Sequence, residues 1–196
     1  MDARLIDDAV DALRAGRPVV LPTDTVYGLC ASPERPRALA ELKGREAGQP
    51  IALLAASVGA LVDLVRELDE RLLRGLFPGA LTLVVPNPER RYPALTGESP
   101  EKIGVRVPEL GVDASEIVRR LGAVAATSAN LHGGPDPRRL EDVPEEISSA
   151  ALVVDGGELP GIPSTVLDLT GSEPVVLREG AVPAAEALAR IEQARD

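Results

Sequence analysis

The segment PTDTVYGL at residues 22–29 sets two hydroxyls, Thr23 and Thr25, around the Asp24 carboxylate, and follows them with the Tyr27 phenol and Gly28. Together these offer donors, acceptors, a flat face with a polar tip and a close backbone approach, a set suited to holding a small polar ligand. The β-branched run PVVL just before it (18–21) reads as a buried strand, and Pro22, with no N–H to donate, ends the ladder. The polar triplet is thus expected in a loop at the carboxyl end of a strand, where open α/β sheets place their ligands. A plainer reading of the triplet is a turn whose side chains satisfy their own backbone.

The other groups that could do chemistry are cations and short polar side chains. Lys43 and Arg45 stand in KGR at the end of a helical stretch bearing Leu39, Ala40 and Leu42, where a cation is not needed for packing. Ser128 and Asn130 stand in TSAN, just past the apolar run at 124–126, and their short side chains suit a phosphate or a metal-bound water as readily as a loop cap. Arg106 in GVRVP, Ser164 in PSTVLD and Arg178 in LREG follow. No Walker-type glycine loop is present, so a bound nucleotide would rely on cations, and Lys43, Arg45, Lys102, Arg106 and Arg178 are the candidates. The chain has 21 basic residues and only two are lysines, at 43 and 102. Where Arg is the default, a Lys hints at a compact point charge, although ordinary surface lysines would look the same.

Composition narrows the classes. A chain of 196 residues can bury a full core without staples. One cysteine, Cys30, excludes an internal disulfide and a thiolate metal cluster, and one histidine, His132 in a loop, excludes His-rich metal motifs. Residues 1–15 alternate charge with apolar positions unlike a signal peptide, and no apolar run reaches the ~20 residues of a membrane span. A soluble cytoplasmic protein with no membrane partner is expected. The net charge of −10 repels phosphate polyanions and makes direct RNA binding doubtful.

Periodicity supplies the frame. Ile6, Ala9, Val10 and Leu13 at helical spacing, with Gly16 as the stop, predict a first helix. Further helices are expected near 35–43, 58–68, 70–76, 113–121, 140–149 and 184–194. Strands are expected at 51–55, 81–85, 103–107, 123–127, 151–154, 165–169 and 174–177. With no repeat and no linker, these make one α/β domain over residues 1–196.

The motifs PTDTVYGL, KGR, TSAN, PSTVLD and LREG, together with PGALTL (78–83) and GVRVP (104–108), occur in an order that resembles the YrdC family, the threonylcarbamoyl-AMP synthases, from about residue 5 to residue 180. The resemblance implies an α/β fold of the α+β type: a twisted mixed sheet flanked by helices, with a large concave cleft, in its single-domain form. It implies a nucleotidyltransferase that forms threonylcarbamoyl-AMP and pyrophosphate from L-threonine, bicarbonate or CO2, and ATP with Mg2+. The product would pass to a tRNA threonylcarbamoyltransferase that modifies tRNA next to the anticodon. Matched by motif position, Lys43 and Arg45 are the implied catalytic residues. Thr25, Tyr27, Arg106, Ala126 and Ser164 would meet L-threonine, and Arg45, Gln49, Lys102, Ser128, Asn130 and Arg178 the nucleotide. Two positions depart from the family pattern: Gln49 falls where relatives have another polar residue, and Leu54 where relatives place a histidine against the substrate. The alternatives are an RNA-binding member of the family and a carbamoyl-adenylating paralogue like the domain in hydrogenase maturation proteins.

Overall fold

The computed structural model describes residues 2–44, 48–65 and 68–195. Helix α1 (Ala3–Arg14) begins where the Asp2 carboxylate accepts from the amides of Arg4 and Leu5, each at 3.1 Å, satisfying donors that no helical carbonyl can reach. It buries Ile6, Ala9, Val10 and Leu13, the face its spacing predicts, and Gly16 turns the chain away at φ 79°.

Strand β1 (Val19–Pro22) follows and keeps Pro22 as its last residue, opposite Tyr27. No strand is expected at residues 27–31 from periodicity, yet they form strand β2 (Tyr27–Ala31), so the polar triplet occupies a hairpin turn. The chain then runs through α2 (Arg37–Lys43), β3 (Ala52–Ala55), α3 (Val58–Leu64), α4 (Glu70–Leu76), β4 (Leu81–Pro86), β5 (Lys102–Arg106), α5 (Val112–Leu121) and β6 (Ala123–Ser128). The helix expected over 140–149 is split by Pro144 into a 3-10 turn, Leu140–Asp142, and a short α6 (Glu145–Ser148). Strands β7 (Leu152–Val153), β8 (Thr165–Asp168) and β9 (Val175–Arg178) precede the last helix, α7 (Ala184–Arg195).

Among the described residues, nine strands make one mixed sheet in the order β7-β1-β2-β6-β3-β5-β4-β8-β9, flanked by helices as expected. Alternation sorts each strand's side chains between two faces. Leu53, Leu83, Val105 and Leu167 share the face that packs, with Leu61, Leu73, Leu76 and Ile191 of α3, α4 and α7, into the larger core cluster. On the opposite face, Ile6, Val10 and Leu13 of α1 and Ile117 and Val118 of α5 pack against Val19, Leu21, Cys30 and Val124. That cover reaches β1, β2, β6 and Leu54 on β3. Over β5, β4 and β8 the same face is left open, and it becomes the floor of a cavity.

The chain leaving β9 is strapped to the segment before β8. Ala181 donates to the Pro163 carbonyl at 2.8 Å and Gly180 to Thr165 Oγ1 at 2.9 Å. At Gly180 a Cβ would stand 2.1 Å from the Pro163 oxygen and 2.7 Å from the Ser164 carbonyl, so the strap can lie this close only without a side chain. Gly180→Ala is expected to lower stability by about 1–3 kcal/mol through overpacking against backbone. Thermal denaturation against wild type checks this, and an unchanged Tm would show that the strap yields to a methyl group.

Candidate active site

Arg106, the last residue of β5, is only 7% exposed. Nη2 donates to Asp24 Oδ1 in the β1–β2 turn, and Nη1 and Nη2 each reach Thr25 Oγ1 at 3.2 Å. Its Nε is buried and has no hydrogen-bond partner among the described residues. Burial pulls this guanidinium below its usual range, the Asp24 carboxylate opposes the shift, and the positive Arg178 adds to it. Two arginines thus act on each other across one cavity, with the Asp24 carboxylate bonded to one of them.

The turn that supplies Asp24 and Thr25 is shaped by Thr23. Its hydroxyl donates to the Val26 carbonyl at 2.7 Å and accepts from the amides of Thr25 and Val26, each at 3.2 Å. Here the plainer reading of the triplet is right for Thr23. With its proton given to Val26, Thr23 can only accept from Thr25 Oγ1 at 2.9 Å, which leaves the Thr25 lone pairs for Arg106. Asp24 Oδ2 accepts from the Glu109 amide at 3.1 Å and fixes the far end of the pair.

The cavity has a volume of about 610 Å3. Its walls include Thr25, Lys102, Arg106, Ala126, Ser128, Ser164 and Arg178, so seven of the expected site residues come together from five separate segments. Arg178 donates through Nη2 to the Ser164 carbonyl at 2.8 Å and to Ser164 Oγ at 3.3 Å. Lys102 Nζ donates to Asp168 Oδ2 at 3.0 Å. Burial would raise the Asp168 carboxyl, yet the Thr170 hydroxyl and amide and the Lys102 ammonium hold it below the usual range. Leu54 lines the same wall with an apolar side chain.

Other expectations fall elsewhere. Tyr27 does not line the cavity: its side chain is 0% exposed in the larger core cluster, and its hydroxyl donates toward Gly157 O at 2.8 Å and Asp155 Oδ1 at 3.0 Å and accepts from the Gly156 amide at 3.0 Å. The reason is alternation. Once residues 27–31 are a strand, Tyr27, Leu29 and Ala31 face the core while Gly28 faces the cavity. Gln49 is exposed and is not a lining residue, although Gly48 and Pro50 beside it are. Arg45 lies outside the described residues.

Lys43 is 2% exposed, so the expectation that packing does not need it is corrected. Nζ donates to the Ser128 carbonyl and, at 2.6 Å, to Asn130 Oδ1, which also accepts from Ser128 Oγ at 2.7 Å. Asn130 Nδ2 holds the Gly134 carbonyl at 2.6 Å, and the Lys43 carbonyl accepts from the His132 amide at 3.1 Å. The end of α2 and the loop after β6 are therefore cross-linked by a buried ammonium, and Lys43 and Asn130 lie behind Ser128 instead of on the cavity surface. Cys30 is fully buried and its thiol is pushed up to about 12 by desolvation, which leaves it protonated and without nucleophilic character at neutral pH.

Sequence reasoning missed Thr82, Asp168 and Asp136 as lining residues and did not assign Asp24 to Arg106. The alternation of LTLVV marks Thr82 as a hydroxyl on the face opposite Leu81 and Leu83, a usable signal. No sequence pattern pairs Asp24 with a residue 82 positions later.

A mixed sheet whose half-open face carries converging cations and hydroxyls defines an α/β protein with a polar cleft. The chain belongs to the Sua5/YciO/YrdC family, whose model, described as telomere recombination, matches residues 11–180. It is 37% identical over 188 residues to the threonylcarbamoyl-AMP synthase of Pyrococcus abyssi, covering 91% of this chain and 54% of that one. The structure of P. abyssi Sua5 complexed with L-threonine aligns at a TM-score of 0.83 and 35% identity, over 96% of this chain and 56% of that one. E. coli YciO aligns at 0.81 and 28% identity, over 95% and 94%. The chain spans about half the length of its P. abyssi relatives.

Two substitutions test these placements. Tyr27→Phe strands the Asp155–Gly157 groups and should lower stability by about 1–3 kcal/mol, with activity per folded molecule unchanged; a loss of ligand affinity at constant Tm would return Tyr27 to the site. Lys43→Met removes the ammonium from the Ser128 carbonyl and from Asn130 Oδ1 and should lower Tm together with activity, by about 1–3 kcal/mol in denaturant titration. An unaltered Tm would mean that the cation serves chemistry alone.

Proposed function

We propose that the chain is an L-threonylcarbamoyladenylate synthase, joining L-threonine, bicarbonate or CO2, and ATP into threonylcarbamoyl-AMP and pyrophosphate. The observation that carries this reading is Arg106: a guanidinium almost withdrawn from water, with Nε unpartnered among the described residues, on the floor of a cavity whose family relative has been solved with L-threonine. A planar fork of donors in low dielectric suits the carboxylate of an amino acid. Ser164 and the backbone at Ala126 complete that end of the site, and Thr25 aims the arginine.

The amine of threonine takes up CO2 to form a carbamate and releases a proton. A carbamate oxygen then attacks the α-phosphorus of ATP in line with the departing pyrophosphate. No covalent enzyme intermediate is needed, so the protein's work is to align unstable partners and to meet developing charge with fixed cations. Lys102, Arg178 and Ser128 would face the nucleotide, with Lys43 and Asn130 holding Ser128 in place and with Arg45 and Gln49 in the adjoining segment. Mg2+ enters with ATP as part of the substrate and shares the charge of the phosphates. The labile product requires an acceptor enzyme, a tRNA threonylcarbamoyltransferase, and the cytoplasm is the fitting compartment. No helix among the described residues is long and apolar enough to cross a membrane. The net charge of −10 favours small-molecule binding over direct RNA binding.

Pyrophosphate release should require ATP, bicarbonate and L-threonine together, because the carbamate must form before it attacks phosphorus. Valine, nearly isosteric but without the hydroxyl, should be disfavoured by orders of magnitude if a buried polar group reads that hydroxyl, whereas serine loses only a methyl worth about 1–3 kcal/mol. Nucleotide turnover undiminished without threonine or bicarbonate would reject the reading.

A further inference from the structure

Lys102 and Asp168 both line the cavity, and only the lysine has a role so far. They stand on the strands either side of β4, Lys102 opposite Pro86 and Asp168 opposite Val84, so the bond from Lys102 Nζ to Asp168 Oδ2 spans that strand on its cavity face. The lysine side chain is 38% exposed. A four-carbon stem this open to water samples many rotamers, and a ligand that must fix it gives up affinity to that entropy. An ion pair at such exposure adds little to the stability of the fold. Its consequence is to decide where the ammonium stands.

The carboxylate is itself fixed. Asp168 Oδ1 accepts from the Thr170 amide at 2.8 Å and from the Thr170 hydroxyl at 2.5 Å, two bonds that set the rotation of the group and leave Oδ2 for Lys102 at 3.0 Å. An ammonium carries three protons. Asp168 takes one of them, and it is the one partner of Nζ among the described residues, so two protons remain on a side chain that lines the cavity.

We propose that Asp168 is a positioning residue that holds the Lys102 ammonium on the cavity wall before the nucleotide arrives, so that its two remaining protons meet a nucleotide oxygen with little further loss of side-chain freedom. This rests on the proposed placement of the nucleotide against Lys102 and deepens it, since the carboxylate acts only through the lysine.

Asp168→Asn separates direction from charge. The amide keeps an oxygen for the Thr170 amide and hydroxyl, and turns toward Lys102 an NH2 group that cannot accept. The variant also gains one unit of positive charge beside the site. If Lys102 served by charge alone, ATP would bind more tightly. At a half-exposed side chain that gain is screened by water, and the loss of direction should prevail. Calorimetric titration with ATP and Mg2+ should show binding weakened about three- to tenfold, with the affinity for L-threonine unchanged. In a Lys102→Met background the same substitution should weaken ATP no further. Unchanged or tighter ATP binding in Asp168→Asn, equal losses for both ligands, or a further loss on Lys102→Met would each overturn the proposal.

The chain has only two lysines, so selective 15N labelling of lysine Nζ gives a readout free of ligand. The Lys102 ammonium should be ordered in the wild-type protein and mobile in Asp168→Asn, while Lys43 stays unaltered. A Lys102 already mobile in the wild type, or equally ordered in the variant, would overturn the role of Asp168 even if the variant were poorly folded in titration. A wild-type protein that bound ATP but released no pyrophosphate with threonine and bicarbonate would reject the adenylation reading alone, and these two measurements would still decide the role of Asp168.

Discussion

The burial of one positive charge, on Arg106, organises the site. Taking a guanidinium out of water costs several kcal/mol unless a counter-charge and hydrogen bonds follow it. Asp24 and Thr25 provide both, and the demand fixes more than their side chains. The β1–β2 turn must adopt the conformation that Thr23 stabilises, Asp24 must be held from behind by the Glu109 amide, and the Thr25 carbonyl accepts from Gly161 at 2.8 Å. Three stretches of chain, 23–26, 106–109 and the one at Gly161, are thereby tied to a single ion. Removing one member of such a buried pair leaves an uncompensated charge, a loss of about 3–5 kcal/mol in comparable cases.

The cavity exists because the sheet is only half covered on that face. Helices α1 and α5 bury the side chains of β1, β2 and β6 and do not extend across β5, β4 and β8. On the uncovered strands the positions that would otherwise carry packing residues carry Lys102, Gly104, Arg106, Thr82 and Asp168. Function and cover are alternative uses of one sheet face, and the alternation of each strand keeps the choice from disturbing the core on the other side.

A second buried cation plays a complementary part. Lys43 reaches the loop after β6 from the end of α2 and pins Ser128 and Asn130, so the polar residues that follow an apolar strand are held in a defined arrangement. In a protein of net charge −10, a polyphosphate meets attraction only where cations are gathered locally. Lys102 and Arg178 supply that at the cavity wall, with Lys43 behind it.

Much of this is written in local sequence. The period of Ile6, Val10 and Leu13 and the β-branched runs at 81–85, 103–107 and 165–169 mark their elements because burial of one face leaves its own spacing in the chain. The ordered motifs bring seven site residues to one cavity as the family resemblance implies. Local pattern failed where a segment's role depends on a distant partner. Tyr27 in YGLCA has the chemistry of a ligand contact, and only the pairing of β2 with β1 and β6 turns its ring into the core. Lys43 sits at a helix end that reads as solvent-facing until the loop after β6 folds over it. The bonds Asp24–Arg106 and Thr82–Ser164 each span more than eighty residues. Residue types and their spacing determined which elements form and which groups could do chemistry. The tertiary structure decided which of those groups share a cavity and which are consumed in holding it open, because a hydrogen bond or a buried charge is satisfied by proximity in space, and sequence separation carries no record of that.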